Sequence, residues 1–111
     1  MELETLRYEV DDGVATITLD RPERHNAFNV AMANELGRVW EAVRTDGDVV
    51  CAIVTGAGEK AFVSGADISE FGERRNSPEA VAEYNRISGQ AHVRLQKCPK
   101  PVIAMIRGYC F

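Results

Sequence analysis

Two short apolar runs, Val49–Val54 and Val102–Ile106, do most to limit what this chain can fold into. Both are rich in β-branched residues, and neither alternates with polar ones. Such a run suits a strand covered on both faces, as in a parallel sheet. Parallel neighbours cannot be joined by a tight turn and need a crossover connection, usually a helix. The sequence between the runs supplies one. Ser77-Pro78-Glu79-Ala80 reads as an N-cap followed by proline at the first helical position. Val81, Tyr84, Ile87, Ala91 and Leu95 then recur at helical spacing as a buried face, to about Lys97, and Pro99 and Pro101 break the pattern.

The earlier part of the chain fits the same plan. Leu6, Tyr8 and Val10 alternate with polar residues, and Ala15, Ile17 and Leu19 do so again. Between them lies Asp12-Gly13, the pair a type I′ hairpin turn prefers. Asn29 is placed to cap a helix to about Thr45, with Met32, Leu36, Val39, Trp40 and Val43 along one face. Gly56-Ala57-Gly58 is a turn, Ala61–Val63 is short and extended, and a short helix is expected from Ala66 or Asp67. The order ββ, α, β, short α, long α, β defines an α/β chain built on a parallel sheet. The last residues, Arg107 to Phe111, follow a strand expected to be buried on both faces. Residues 1–111 are therefore expected to be the N-terminal part of one larger domain, with a sheet face left to cover.

Composition removes several functional classes. The chain has 111 residues, 45% hydrophobic and 27% charged, the balance of an ordinary globular domain. Its net charge is −4 and its basic residues are scattered, so nucleic acid is not an expected partner. Glu73-Arg74-Arg75 reads as a solvated loop. Cys51, Cys98 and Cys110 form no CxxC pair, and Cys51 and Cys110 sit in apolar runs, so buried free thiols are expected. Acidic residues follow Met1 where a secretory leader would be basic and apolar. No apolar run approaches the length of a membrane span. A reducing, cytoplasmic setting without a membrane partner is the expectation.

Three candidate chemistries fail on their structural requirements. Gly56-Ala57-Gly58-Glu59-Lys60-Ala61 matches GxGxxA after a strand. A dinucleotide site also needs a helix opening there, whereas this sequence continues extended and glycine-broken. Val63-Ser64-Gly65 lacks the glycine two residues before the serine that a nucleophile elbow needs, since that position is Phe62. His25 and His92 are the only histidines, neither beside an acid partner, and with the cysteines they show no metal-ligand spacing. His92 reads as an ordinary residue of a helix surface.

The remaining candidate is Ala61-Phe62-Val63-Ser64-Gly65-Ala66-Asp67. A strand end followed by Gly-Ala and an acid at a helix start presents backbone N–H groups with no intrahelical partner. The helix dipole adds partial positive charge. Such a place binds anions or stabilises developing negative charge, provided small side chains let an atom come within about 3 Å of a backbone nitrogen. From these residues alone, a tight strand–helix connection with no ligand is an equal reading.

Several segments in order resemble the enoyl-CoA hydratase/isomerase (crotonase) superfamily. They are Val14–Pro22 with Asn26-Ala27-Phe28-Asn29, Val50–Gly58 with Ala61–Asp67, and Lys100–Cys110. The resemblance implies a crotonase-like spiral of ββα units, of which this chain holds the N-terminal part. It also implies an acyl-CoA thioester substrate, with coenzyme A part of that substrate and no separate cofactor. In such a protein an oxyanion hole holds the thioester carbonyl as it becomes enolate-like, and its first donor would be the backbone N–H of Ala66. Ser64, Gly65, Asp67 and Ile68 would lie along the CoA channel. Arg24, His25 and Ala27 would meet its adenine and pantetheine side, and the resemblance also offers Arg24 to a CoA phosphate. A basic residue often follows the position of Ile68 in this family; here it is Ser69.

The family's second oxyanion donor and its acid/base carboxylates come from positions beyond Phe111. Glu59, Glu70 and Glu73 are not substitutes for them, and Glu70 reads as a solvated helix residue. The complete protein is expected to hydrate a 2-enoyl-CoA and to assemble as a homotrimer or hexamer. The isolated 111 residues are expected to be inactive. Other chemistries of the superfamily (3,2-enoyl-CoA isomerisation, carnitinyl-CoA dehydration, thioester hydrolysis) are alternatives, as is a non-catalytic CoA-binding or assembly piece.

Overall fold

A computed structural model describes residues 2–65 and 78–110. Strands β1 (Leu6–Asp11) and β2 (Val14–Leu19) form the antiparallel hairpin that Asp12-Gly13 predicts. Both turn residues have positive φ, 52° and 79°, as a type I′ turn requires. Ala15, Ile17 and Leu19 are buried on one face of β2, while Val10 of β1 is exposed. A 3-10 turn at Pro22–Arg24 leads to helix α1 (Val30–Thr45). Strands β3 (Cys51–Gly56) and β4 (Ala61–Val63), helix α2 (Pro78–Gln96), and strands β5 (Val102–Ala104) and β6 (Tyr109–Cys110) follow.

Four strands make one sheet in the order β1-β2-β3-β5. β2, β3 and β5 are parallel, and β1 is an antiparallel edge. The chain therefore has the expected α/β architecture, with α1 crossing from β2 to β3. β4 and β6 form a separate parallel pair, with Ala61 opposite Tyr109 and Val63 opposite Cys110.

Helix α1 starts where the sequence says it should. Asn29 is extended (φ −122°), and its Oδ1 accepts the Met32 N–H at 2.8 Å, satisfying one orphan donor of the first turn. Met32, Val39, Trp40 and Val43 bury against Ile17, Leu19, Val49 and Ala52 to form the main core. A smaller cluster of Val30, Ala33 and Ile87 joins α1 to α2. At the far end of α1, Lys100 Nζ donates to the carbonyls of Val43 and Asp46, 2.6 Å each. A cation on the last-turn carbonyls complements the helix dipole and ties the entry to β5 onto α1.

Burial corrects several expectations. β3 begins two residues later than the apolar run: Val49 packs in the core, but its N–H bonds Asp46 in a turn, and Val50 is 65% exposed. Cys51, Ile53 and Val54 of β3 are only half-buried. β5 ends at Ala104, and Ile103, Met105 and Ile106 are exposed at 56%, 44% and 52%. An apolar β-branched run signals an extended chain; what covers it depends on elements the run does not encode. Cys51 is half-buried and Cys110 exposed where buried thiols were expected, and all three cysteines are free. The short helix expected at Ala66 or Asp67 and the Ser77 cap lie outside the described residues.

Candidate functional site

In an open parallel sheet, ligands bind where loops leave the carboxyl ends of the strands. Here those loops are residues 20–29 after β2, 57–60 after β3, 64–65 after β4 and 105–108 after β5. The first two, and the start of β4, are fastened together by one side chain. Asn26 is fully buried (0%). Its Oδ1 accepts the Arg21 N–H at 2.9 Å, and its Nδ2 donates to the carbonyls of Ala57 (3.1 Å) and Ala61 (2.9 Å). A primary amide has both donors and acceptors on a short stem, so it can bridge three backbones where no other uncharged residue of its size could.

The loop around Asn26 is tightly wound. His25 and Asn26 both have positive φ, 51° and 58°, which is costly for a residue with a side chain. Compensating bonds hold them. His25 N–H donates to Pro22 O (3.1 Å), Asn26 N–H to Arg21 O (2.8 Å), and Ala27 N–H to Arg24 O (3.0 Å). The Arg21 guanidinium donates to Ala27 O at 2.6 Å. Ala27 is buried with its N–H and carbonyl both engaged, whereas Arg24 and His25 are exposed.

Two contacts join this loop to the strand end singled out in the sequence. Phe28 N–H donates to Gly65 O at 2.7 Å, and Ser64 Oγ donates to Arg24 O at 3.3 Å. Gly65 has φ 93°, a conformation that favours glycine. Arg24, His25, Ala27, Ser64 and Gly65, drawn from two segments about forty residues apart, are thus brought together. Ala66, Asp67 and Ile68 lie outside the described residues.

Sequence reasoning missed other contributors. Gly56 lets β3 and β4 approach: a Cβ there would sit 2.7 Å from the carbonyls of Ala61 and Phe62 and 2.8 Å from Asn26 Nδ2. Gly108 (φ 71°) does the same between β6 and the 57–60 loop, where a Cβ would lie 2.1 Å from Lys60 O. Tyr109 N–H then donates to Lys60 O at 3.0 Å. The signal available was a glycine two residues after an apolar run, which marks close backbone approach without naming its partner. Beside these loops are two hollows. One, of ≈ 270 Å³, is bounded by Pro22, His25, Asn26 and residues 57–61; the other, of ≈ 720 Å³, by His25, Lys60, Gly108 and Tyr109. The first hollow carries one lysine, Lys60, and one acid, Glu59, among its lining residues. Among the described residues, no group of three His, Cys, Asp or Glu side chains could hold a metal ion, and no helix is long and apolar enough to cross a membrane.

Parallel strands whose carboxyl-end loops are fastened around a concave mouth define an α/β protein with a crevice at the carboxyl end of its sheet. Comparison with known proteins narrows this. Residues 9–111 match the enoyl-CoA hydratase/isomerase family, and the chain belongs to it. It is 38% identical over 109 residues to the short-chain-enoyl-CoA hydratase of Clostridium acetobutylicum, covering 98% of this chain and 41% of that protein. It is 39% identical over 103 residues to the (E)-benzylidenesuccinyl-CoA hydratase of Thauera aromatica, covering 91% of this chain and 38% of that one. Among solved structures, an enoyl-CoA hydratase/carnithine racemase from Magnetospirillum magneticum superposes with a TM-score of 0.91 at 36% identity, over 96% of this chain and 40% of its own. The fold is the N-terminal part of the crotonase fold, and the chain spans about two-fifths of the length of these relatives.

Proposed function

We propose that this chain supplies one side of an acyl-CoA thioester site, and that the protein containing it hydrates a 2-enoyl-CoA through an enolate held by backbone amides. The observation that carries the reading is the bond from Phe28 N–H to Gly65 O. In a planar trans peptide the carbonyl and the following N–H point in opposite directions. With the Gly65 carbonyl engaged by Phe28, the reading leaves the amide that follows it in sequence, that of Ala66, for the substrate. The proposal takes that amide as the donor to the thioester carbonyl, with Ser64, Gly65, Asp67 and Ile68 beside the bound substrate.

A backbone donor suits this chemistry. As negative charge moves onto the thioester oxygen, a preorganised N–H needs no rearrangement to stabilise it. Removing one such donor costs roughly 3–4 kcal/mol of transition-state stabilisation. Arg24, His25 and Ala27 line the path to the nucleotide end in this reading, which takes the exposed Arg24 as a phosphate contact. The alternatives within the family (3,2-enoyl-CoA isomerisation, carnitinyl-CoA dehydration, thioester hydrolysis) would share this half of the site. Hydration is preferred because both curated relatives named above are hydratases. A homotrimer or hexamer is the assembly the proposal attaches to the complete protein.

Calorimetry with acetyl-CoA tests the reading. The chain is expected to bind it, Ala66→Pro (which deletes the N–H) to abolish binding, and Ala66→Gly (which keeps it) to retain most. Binding unaffected by Ala66→Pro contradicts the proposed donor. Expressed alone, the 111 residues are expected to bind without turnover, because the positions the family uses for acid/base carboxylates are not among those matched here. Measurable hydration of crotonyl-CoA by the purified chain contradicts that expectation.

A further inference from the structure

Strand β1 is the outer strand of the sheet, and its far edge pairs with no strand among the described residues. We propose that this edge is an interface between two copies of the chain: β1 pairs antiparallel with β1 of a second copy about a two-fold axis at Tyr8, joining the two sheets into one. The edge lies at the opposite end of the sheet from β5, and the proposal does not depend on the thioester reading.

The ladder to β2 fixes which groups face outward. Asp20 N–H donates to Thr5 O at 2.8 Å, one step beyond the Leu6–Leu19 pair. Hydrogen-bonded and non-bonded pairs alternate along an antiparallel ladder. Arg7, Glu9 and Asp11 therefore turn their N–H and carbonyl groups to β2, and Leu6, Tyr8 and Val10 turn theirs to the open edge. β1 runs opposite β2 from Leu6 to Asp11 with no bulge and no proline, devices that commonly blunt an edge. About a two-fold axis at Tyr8, Tyr8 bonds the partner's Tyr8 and Leu6 bonds the partner's Val10, so every outward group finds a mate. Arg7 then stands opposite the partner's Glu9 in a non-bonded pair, where side chains are closest, and the symmetry repeats the pair. Opposite charges so placed attract. In the next register either way that keeps this ladder, Arg7 would face the partner's Arg7, or Glu9 the partner's Glu9, so charge selects the register. Arg7 Nε also meets Asp20 at 3.4 Å, an exposed contact, and a guanidinium has donors enough for both carboxylates. On the other face of the strand Val10, 41% exposed, gains cover from the partner's Leu6. A hollow of ≈ 370 Å³ bounded by Leu3, Leu6, Arg7, Tyr8 and Glu9 lies against this strand.

Sedimentation equilibrium on the full chain tests the proposal, and a monomer–dimer equilibrium is expected. Arg7→Glu and Glu9→Arg, each at an exposed position, are each expected to weaken the dimer about tenfold or more, because both cross-strand pairs become like-charged. An equimolar mixture of these two variants is expected to recover the dimer, since unlike charges again stand opposite in every pair. Val10→Pro deletes one outward N–H and leaves the bonds to β2 intact, so a folded monomer is expected. Should that variant fail to fold, the charge-reversed mixture carries the test. A parent chain that stays monomeric up to its solubility limit overturns the proposal. Association that persists unchanged in every variant also overturns it and places the contact elsewhere, as at the exposed Ile103, Met105 and Ile106. A mixture that associates no better than either variant alone overturns the Arg7–Glu9 pairing and the register with it.

Discussion

Asn26 concentrates more of the site's construction than any other described side chain. Replacing it with alanine leaves the Arg21 N–H and the Ala57 and Ala61 carbonyls without their partner in a buried place. Orphaned buried groups cost about 1–3 kcal/mol each when no water reaches them. Asn26→Ala is therefore expected to lower stability by about 2–4 kcal/mol in urea unfolding. Asn26→Asp should recover only part of this, since it keeps an acceptor for Arg21 and loses both donors. A loss under 0.5 kcal/mol would contradict the assigned role. Gly108→Ala is also expected to destabilise, because its methyl group would meet the Lys60 carbonyl. The residues that build the site were only partly legible in the sequence. A hydrophilic loop contains nothing that says its asparagine is buried; that follows from backbone more than thirty residues away. Arg24, His25, Ala27, Ser64 and Gly65 came instead from the ordered resemblance of whole segments.

At the scale of elements, local signals were reliable and non-local ones were not. The hairpin was legible because Asp12-Gly13 dictates its own turn, and α1 because Asn29 caps it and the apolar stripe follows one face. β6 and the exposure of β5 were not, because a two- or three-residue strand is defined by its pairing partner. Lys100 belongs to the same class: nothing nearby in sequence announces that its ammonium caps a helix ending near residue 45. Lys100→Met is expected to cost about 1–2 kcal/mol, read by thermal or urea unfolding. The hairpin also carries a pH dependence. The Tyr8 hydroxyl is buried and has no hydrogen-bond partner among the described residues. Burial, with a smaller contribution from the charge of Asp46, raises its pKa above 10.0. Below pH 10 the tyrosine is neutral folded and unfolded, and no stability is lost. As pH rises above 10, the unfolded chain ionises first, and stability falls through the folded pKa. Tyr8→Phe should flatten that alkaline decline; an unchanged decline would show that Tyr8 does not cause it.

At the scale of the molecule, three parallel strands deliver their loops to one end, and the fastening of those loops decides what the fold can do. The parallel sheet and the crossover helices were readable from apolar runs and helical spacing. The joining of the Arg24–Phe28 turn to Gly65 was not, although it turns two weak motifs into one candidate site. The chain belongs to the enoyl-CoA hydratase/isomerase family, and these loops meet within the N-terminal part of the crotonase fold. The central claim is that an amide beside Gly65 polarises a thioester carbonyl. The most direct measurement is the infrared carbonyl stretch of acetyl-CoA, isotopically labelled at the thioester carbon, bound to this chain. The account predicts a shift to lower frequency on binding, lost when Ala66 is replaced by proline. A bound thioester whose stretch matches that in water would contradict it.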